Sequence, residues 1–370
     1  MKKVLFLIHD LGQGGAEKVL VNLVNNMDPS KFDITVTALF GGGVNEQFLA
    51  PHIRYRTVFS KAFPGNSHIM KLLSPRLLHR LCVKERYDIE VSYLEGPSAR
   101  IISGCKDSDT RLVCWIHSTI NSAAAGAVAF RSFREAASCY GRFQQIVCVS
   151  NGIRKAFLSV FPTVPACCVL YNTIQSDLIL ESARESIPAE MSRDGDIHLT
   201  GVGTLKAVKG FDRLIRVHKR LRDAGYPVIT NILGRGPDLE KLRQQAADAG
   251  VRDSVRFLGY DTNPYKYVSR SDLFVCSSHS EGFSTAATEA LIVGTPVCTV
   301  EVSGMKEMLG ENNEFGVVTE NDEDALYQGI KKLLDDPALL SHYREKAAQR
   351  GKMFSTESTV RAVETMLQLL

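Results

Sequence analysis

Short apolar segments alternate with amphipathic segments along almost the whole chain. Residues 4–8 are apolar enough for a buried strand, and the segment that follows repeats apolar residues at helical spacing from Ala16 to Met27. The same pattern predicts further strands at 34–39, 89–94, 112–116 and 146–149. Such an order of strands and helices is typical of a parallel sheet with helices on both faces.

A second series of strands and helices begins after residue 196. Its predicted strands lie at 197–203, 228–233, 255–258, 272–276 and 296–300. Residues 173–196 mix Ser, Glu, Asp, Arg and Pro without a clear period, which predicts an interdomain connection with about one helical turn. We therefore predict two doubly wound α/β domains, at 1–172 and 197–354, with ligands at the carboxyl ends of the strands and in a cleft between the sheets.

Length and composition agree with two soluble domains. The 370 residues exceed what one hydrophobic core usually supports, and the hydrophobic fraction of 44% is ordinary for a globular protein. The nine cysteines form no C-x-x-C pair, which favours buried thiols in a reducing compartment. The first apolar stretch is too short for a signal peptide, and no stretch reaches the roughly 20 residues that span a bilayer. We expect a cytoplasmic protein.

Charge is divided unevenly between the two halves. Through Asn172 there are 20 Lys and Arg against 12 Asp and Glu, a net charge of +8, and beyond it 24 against 29, a net charge of −5. The basic half suggests an anionic surface or substrate, and we expect no nucleic-acid partner. Two stretches, 68–84 and 130–143, combine cations with apolar residues at helical spacing. They predict helices that lie on an anionic membrane or pack on the sheet, and the charge of the first half favours the membrane.

The most specific chemical signal is the segment EGFSTAATEALIVGTPV. Seven residues separate Glu281 from Glu289, and Ser284 between them is a good N-cap for a helix that runs toward Val293. Such a helix start attracts phosphate, and Gly282 lets a ligand approach the backbone closely. Carboxylates are acceptors only, so the two glutamates suit sugar and ribose hydroxyl groups. The alternative is a capped helix that carries two solvated glutamates.

This segment resembles the E-x7-E signature of glycosyltransferase family 4, whose members have the GT-B fold of two Rossmann-like domains facing across a cleft. Further segments are similar to family motifs in the same order: GGAEKVLVNL, LKAVKGFDRLI, ILGRGPDLEKL, VRFLGY and FSTESTVRAVETM. The resemblance covers nearly the whole chain. It implies a retaining glycosyltransferase with a nucleotide-sugar donor, and a last helix near 355–370 that crosses back to the first domain.

The resemblance assigns roles around the donor. It implies that Glu281 contacts the donor-sugar hydroxyls, that Glu289 contacts the ribose hydroxyls, and that Lys209 binds the diphosphate beside the turn at Gly210. A lysine also suits the charge that builds on a departing nucleoside diphosphate, although a lone lysine here would be a surface residue. The other donor-site residues that the resemblance implies are Gly15, Thr204, Arg235, Gly259, Gly282, Phe283, Ser284 and Thr285.

One position departs from the family pattern. The family usually has an arginine where this chain has Thr204, so a second cation for the diphosphate is missing. Either Lys206 or Arg235 replaces it, or fewer charges hold the leaving group.

The first domain has a glycine-rich turn after its first strand. Gly12, Gly14 and Gly15 fail as a dinucleotide fingerprint because Glu17 stands where the third glycine belongs. They form either a simple tight turn or, as the resemblance implies, a loop in which Gly14 and Gly15 border the acceptor and donor phosphates.

Two other strand ends of the first domain carry candidate residues. His117 ends the strand 112–116 and matches the family's strand-end histidine, so we expect it to contact the donor sugar or the reaction centre rather than to be structural. Glu95, Ser98 and Arg100 follow the strand 89–94. They line the acceptor side or else belong to a capped helix start with Pro97 in its first turn.

Three D-x-D spacings, at 107–109, 194–196 and 322–324, resemble polar loops or helix caps. We therefore expect no metal and no cofactor beyond the donor substrate.

The prediction is transfer of a sugar, from a uridine-linked donor, to a growing lipid-linked or oligosaccharide acceptor in polysaccharide synthesis. Two alternatives share the architecture: a nucleotide-sugar epimerase or phosphorylase, and a non-catalytic nucleotide-sugar-binding module.

Overall fold

The structure is a computed structural model that describes residues 1–12, 15–63, 70–188, 195–281 and 283–370. It divides into two compact units. Unit 1 comprises Met1–Ile174 and Thr356–Leu370, and unit 2 comprises Gln175–Ser355. The segment that the sequence indicates as a connection thus lies mostly in unit 2, where Ser176–Ser182 forms a helix.

Unit 1 is built on a seven-stranded sheet with the order β3-β2-β1-β4-β5-β6-β7. All neighbouring strands are parallel. The strands are β1 Lys2–Ile8, β2 Phe32–Phe40, β3 Arg54–Phe59, β4 Ile89–Ser92, β5 Arg111–Ile116, β6 Gln145–Cys148 and β7 Cys167–Val169. Strand β1 pairs with both β2 and β4, so the order reverses there, as expected for a doubly wound sheet.

The helices of unit 1 follow the strands in sequence. They are α1 Gly15–Asn26, α2 Pro75–Cys82, α3 Pro97–Ile102, α4 Ala123–Gly126, α5 Phe133–Tyr140 and α6 Asn151–Val160. The two basic stretches are shorter helices than the sequence predicts. Ser74 and Ser132 accept hydrogen bonds from the amides of Leu77 and Glu135, and these N-caps start α2 at Pro75 and α5 at Phe133, after the predicted starts at 68 and 130. Residues 64–69 lie outside the described part of the chain.

Unit 2 repeats the architecture with six parallel strands in the order β10-β9-β8-β11-β12-β13. The strands are β8 Ile197–Val202, β9 Val228–Leu233, β10 Val255–Gly259, β11 Leu273–Cys276, β12 Val297–Val300 and β13 Val317–Thr319. The helices are α7 Ser176–Ser182, α8 Phe211–Asp223, α9 Leu239–Asp248, α10 Tyr265–Val268, α11 Thr285–Ile292, α12 Met305–Leu309, α13 Glu323–Asp335 and α14 Pro337–Gly351. Both units therefore confirm the predicted doubly wound α/β class.

The sequence pattern did not predict three of the strands, β3, β7 and β13. Each lies at an edge of its sheet. Strand β3 has no buried residue and exposes four of its six side chains, and β7 and β13 have only three residues each. An edge strand needs no continuous apolar run, because one side of it faces solvent, and the pattern that predicts central strands is therefore weak there.

The last helix, α15 Thr356–Leu369, belongs to unit 1. Its buried residues Val360, Val363 and Leu367 join the core of that unit. The ammonium of Lys2 donates to the carbonyl of Leu367 over 3.0 Å, and the carboxylate of Glu364 accepts from the amide of Asp28 over 2.6 Å. Among the described residues, no helix combines the length and the apolar character needed to cross a bilayer.

Candidate functional site

A turn after β8 brings Lys209 to the end of the neighbouring strand β11. Residues Ala207–Lys209 form a single 3-10 turn that ends at Gly210, whose φ is 64°. A Cβ on Gly210 would lie 2.0 Å from the carbonyl oxygen of Ser277, so the close approach requires glycine. The amide of His279 donates to the carbonyl of Val208 over 2.8 Å, which ties the turn to the segment after β11.

This turn places Lys209, predicted to bind the diphosphate, next to Glu281, predicted to bind the sugar. Lys209 Nζ lies 2.6 Å from Glu281 Oε1, and the hydroxyl of Ser278 donates to the same oxygen over 2.8 Å. The side chain of Glu281 is 11% exposed and that of Lys209 28%. A carboxylate so deeply placed needs its charge compensated, and the lysine supplies that compensation in the free protein.

The helix that follows begins as the sequence predicts. Ser284 has extended backbone angles, and its side chain accepts from the amide of Ala287 over 3.3 Å, so it is the N-cap of α11. The first-turn amides of a helix point past its N-terminus, here toward the region of Glu281. Thr285 is exposed and Phe283 partly buried, with its ring 6.0 Å from that of Phe354. Gly282 lies outside the described residues.

Glu289 lies one helical turn further along α11 and has a partner that the sequence did not indicate. The hydroxyl of Tyr265 donates to Glu289 Oε1 over 3.3 Å. Burial, and then the charge of Glu289, raises the pKa of Tyr265, so the phenol stays protonated and keeps its role as a donor. No motif in the sequence marks Tyr265 as a site residue. It reaches the site only because α10 packs against α11. The sequence analysis also missed Ser278, although its place at a strand end shortly before Glu281 was a usable signal.

The loops after β8 and β9 lie together at the same edge of the sheet. The amide of Leu205 donates to the carbonyl of Arg235 over 3.0 Å, which places Arg235 beside the exposed Thr204. The guanidinium of Arg235 is exposed and lies 4.8 Å from the ring centroid of Tyr260. Gly259 closes β10 beside this loop, since its carbonyl accepts from the amide of Gly234 over 2.8 Å.

Lys206, the other candidate for the missing arginine, lines a separate depression of about 330 Å³. Asp212, Asp238 and Lys241 share this depression, whereas Lys209 and Glu281 are not among its lining residues. Lys206 therefore shares its depression with two carboxylates and one further ammonium group.

In unit 1, His117 follows β5 with an unusual environment. Its ring lies 4.9 Å from the ring of Tyr93, and burial lowers its pKa to about 4, so the imidazole is neutral at physiological pH. Its Nε2 is shielded from solvent and has no hydrogen-bond partner among the described residues. Such an orphaned ring nitrogen is rare in folded proteins and requires an explanation.

Glu95 and Arg100, both predicted on the acceptor side, have different positions. Glu95 accepts from the amide of His117 over 2.9 Å and from the hydroxyl of Ser118, so it positions the loop after β5. Arg100 is 1% exposed and donates to the carbonyls of Met70 and Leu73.

Arg100 also forms an ion pair of 3.0 Å with Glu135. The expectation that Arg100 lines an acceptor surface is therefore corrected, because its guanidinium is enclosed in the protein. Ser98 is fully buried as well. Pro97 indeed starts α3, as the alternative interpretation held.

The glycine-rich turn of unit 1 is held by a strand-end carboxylate. Asp10 accepts from the amide of Gly12 over 2.7 Å, and its other oxygen lies 2.7 Å from Nδ1 of His9. Gly15 begins α1, and a Cβ built on it would meet no atom within 4 Å. Gly14 lies outside the described residues. The sequence did not single out His9 or Asp10, although their place after β1 was a usable signal.

The D-x-D spacings that the structure describes are loops and caps. Asp107 and Asp109 pair with the guanidinium of Arg86 over 2.5 and 2.9 Å. Asp322 is the N-cap of α13 and accepts from the amide of Ala325 over 2.8 Å. Asp194 lies outside the described part of the chain.

Comparisons with known proteins match both units. The family model described as Glycosyl transferases group 1 matches residues 183–350, and the model described as Glycosyltransferase Family 4 matches residues 13–178. Each model falls mainly on one unit of the structure.

Individual relatives are similar over long stretches. The N-acetylgalactosamine-N,N'-diacetylbacillosaminyl-diphospho-undecaprenol 4-alpha-N-acetylgalactosaminyltransferase of Campylobacter jejuni is 29% identical over 96% of this chain and 96% of its own. The lipopolysaccharide core biosynthesis glycosyltransferase LpsD of Rhizobium meliloti is 31% identical over 41% of this chain and 42% of its own.

Solved structures share the fold. HepE of Anabaena in complex with UDP aligns with a TM-score of 0.78 at 18% identity and covers 100% of both chains. Because the two family models together span almost the whole chain and each falls on one parallel-sheet unit, the protein belongs to glycosyltransferase family 4 and is a hexosyltransferase-type enzyme with the GT-B fold.

Proposed function

We propose that the protein transfers a sugar from a uridine diphosphate donor to a lipid-linked glycan, with retention at the anomeric carbon. One observation carries the donor half of this proposal. Lys209 is paired with Glu281 at the carboxyl edge of a single parallel sheet, and the capped start of α11 follows Glu281 three residues later, so we expect a cation, a hydroxyl acceptor and helix amides to serve one diphosphate sugar.

The ion pair of Lys209 and Glu281 gives the free site a defined starting state. A diphosphate carries more charge than a carboxylate, so it competes with Glu281 for the ammonium of Lys209. Glu281, released from the lysine and still held by Ser278, then accepts from the sugar hydroxyls. On the same helix, Glu289 accepts from the ribose hydroxyls, with Tyr265 holding its carboxylate in place.

Arg235 is our candidate for the cation that Thr204 does not supply. Its backbone is hydrogen-bonded to Leu205, its side chain is exposed, and Tyr260 beside it offers an aromatic face. Lys206 instead lines the separate depression, which neither Lys209 nor Glu281 lines. A planar guanidinium also pairs with phosphate oxygens in a bidentate manner, which an ammonium does not.

In unit 1, His117 is our candidate for a contact to the sugar. Its neutral imidazole has an Nε2 without a partner in the described part of the chain, and a donor-sugar hydroxyl would satisfy that atom. Glu95 holds the backbone of His117 in position. At Gly15 the space into which a Cβ would project is open, so packing within the protein does not demand glycine there, which supports close approach of a ligand phosphate.

Two observations support the proposal of a lipid-linked acceptor: the name of one relative, and an exposed apolar and basic surface of unit 1. The name of the Campylobacter relative describes transfer to a diphospho-undecaprenol-linked sugar. In unit 1, Leu72 and Val128 are 76% and 70% exposed. The side chain of Arg131 binds the carbonyls of Lys71 and Leu72, so cations and exposed apolar groups lie together. This combination suits the interface of an anionic membrane.

A donor and product assay tests the enzymatic proposal. Calorimetry with uridine, guanosine and adenosine diphosphates should give the tightest binding for the uridine compound. Transfer from the matching nucleotide sugar to a polyprenyl-diphosphate-linked glycan, followed by NMR of the new anomeric proton, should give the donor's own anomeric configuration. Tighter binding of another nucleotide would refute the uridine donor. An inverted product would refute retention, and equal transfer to the free glycan would refute the lipid-linked acceptor.

Flotation with anionic vesicles tests the membrane surface separately. The variant Leu72→Ser with Val128→Ser should float less than the wild type, whereas Leu178→Ser, an equally apolar change at a residue of unit 2 that is 52% exposed, should not change flotation. Identical flotation of all three proteins would remove this surface from the proposal.

A further inference from the structure

A second group of reactive side chains lies at the opposite edge of the unit 1 sheet from Glu95 and His117. His79 on α2, Glu90 in β4 and Cys105 after α3 gather where β4 and β5 begin. All three line an open pocket of about 590 Å³. None of them takes part in the proposed sugar transfer.

Close packing of two elements creates this group. A Cβ on Gly104 would lie 2.0 Å from the carbonyl oxygen of Pro75, so only glycine lets the turn after α3 reach the start of α2. Cys105 follows directly, and its carbonyl accepts from the guanidinium of Arg142 over 2.6 Å. The thiol is therefore held on rigid backbone next to the helix that carries His79.

The three ligand atoms are already close together. His79 Nε2 lies 2.7 Å from Glu90 Oε2, Cys105 Sγ lies 3.8 Å from Glu90 Oε1, and all three ligand atoms lie within 4.8 Å of one another. Ligand atoms around a tetrahedral zinc ion are about 3.3–3.8 Å apart, given bonds of about 2.0–2.3 Å. Small side-chain rotations are enough to open the hydrogen bond to that spacing.

The chemistry of the group favours a metal. An imidazole nitrogen, a carboxylate oxygen and a thiolate sulfur are ligands that zinc takes together. The side chain of Glu90 is only 3% exposed and Cys105 is 3% exposed. In the free protein, the imidazole of His79 and the thiol of Cys105 each donate to one oxygen of Glu90, and a divalent cation would take the place of these protons between the three side chains.

We propose that His79, Glu90 and Cys105 form a binding site for one Zn²⁺ ion, whose fourth position opens into the pocket. Arg76, Arg80 and Lys106 also line this pocket, so the open position would take water, hydroxide or an anion. The ion would join a helix, a strand and a turn at the amino edge of the sheet. It would thereby stabilise unit 1 without touching the donor residues.

Zinc binding to purified, tag-free protein tests the proposal. After exposure to Zn²⁺ and gel filtration, the protein should retain about one equivalent of zinc by elemental analysis. Competition with a chromophoric chelator then gives the affinity. We expect Cys105→Ser and Glu90→Gln each to weaken it at least about tenfold, the size of effect that loss of metal-site contacts typically has.

Matched controls lie beside the site. Cys82→Ser changes another thiol on the helix of His79, and Glu85→Gln changes a carboxylate of the same pocket that pairs with Arg56 over 2.5 Å. Both should bind zinc as the wild type does. Circular dichroism and the melting temperature of each variant exclude loss of folding as the cause.

Cobalt gives a direct spectroscopic readout of thiolate coordination. Co²⁺ in this site should show a thiolate-to-cobalt charge-transfer band in the near ultraviolet, present in Cys82→Ser and absent in Cys105→Ser. No such band in the wild type, or zinc retained below about a tenth of an equivalent, would overturn the proposal. So would a band that persists in Cys105→Ser, since it would place the metal on another thiol.

Discussion

The carboxyl edges of the two sheets hold their polar residues in different ways. In unit 2, Lys209 and the buried Ser278 are both hydrogen-bonded to Glu281, and Lys209 and Glu281 remain partly accessible. In unit 1, Arg100 is enclosed and Glu95 is occupied with the loop of His117. The first arrangement is a site whose internal bonds a ligand can exchange for its own, and the second mostly holds the scaffold in place.

Two histidines with shielded ring nitrogens show the same contrast at the scale of single side chains. Burial lowers the pKa of His117 and of His218 to about 4. His218 is bonded through both ring nitrogens, to the hydroxyls of Thr230 and Ser254 over 2.8 and 2.7 Å. His117 leaves Nε2 without a partner among the described residues. Satisfied hydrogen bonds indicate a structural residue, whereas the orphaned nitrogen indicates a place for a ligand.

The largest expected effect concerns the scaffold of unit 1. Arg100→Met should lower the free energy of unfolding by about 3–5 kcal/mol, because it leaves Glu135 and several carbonyls without their buried cation. Chemical denaturation measures this, with the exposed Arg134→Met as the control. Unchanged stability combined with weaker acceptor binding would instead restore Arg100 to the acceptor side.

The next effect concerns the centre of unit 2. Glu281→Gln should reduce kcat by about 10²–10³-fold while UDP binding is largely kept, because the amide is a poorer acceptor for hydroxyls that matter most in the transition state. Steady-state kinetics and calorimetry measure the two quantities. The exposed Glu345→Gln should leave both unchanged. A loss of kcat below about threefold would exclude Glu281 from the reaction centre.

Lowering the pH should reduce the folding stability to a similar extent through each of the two histidines. Their folded pKa of about 4 lies below the ordinary value of 6.5, so the unfolded chain binds more protons between these values. Stability should therefore fall as the pH drops from about 7 to about 4, by up to roughly 3 kcal/mol for each histidine. Urea denaturation at several pH values should show a shallower fall in His117→Asn and in His218→Asn.

Activity should then separate the same two variants. His117→Asn should lower kcat, whereas His218→Asn should leave it unchanged at neutral pH. The exposed His342→Asn serves as the control for both measurements. Equal kinetic losses in His117→Asn and His218→Asn would contradict the distinction between a structural and a ligand-facing histidine.

The smallest effect concerns the second cation. Arg235→Ala should weaken UDP binding by about tenfold, or about 1.4 kcal/mol, whereas Lys206→Ala should change it by less than about twofold. Calorimetry at fixed ionic strength measures both, since charge pairs at a surface depend on salt. The reverse order would make Lys206 the substitute for the family arginine.

Much of the fold and part of the site were predictable from local patterns. Central strands are buried on both faces, so their apolar runs stand out, and Ser284 caps α11 through a bond to a residue only three positions away. The edge strand β3 and the pairing of Tyr265 with Glu289 were not predictable. Both depend on what faces the segment across space.

The sequence by itself determined the doubly wound α/β class, the motif from Glu281 to Glu289 and the chemistry open to its carboxylates. Those properties follow from periodicity and from side-chain types, which are local. Only the tertiary structure decided that Lys209 meets Glu281, that Arg100 is enclosed, and that His79 meets Cys105. These outcomes depend on close approaches such as that of Gly210 to Ser277, and packing between distant segments selects them.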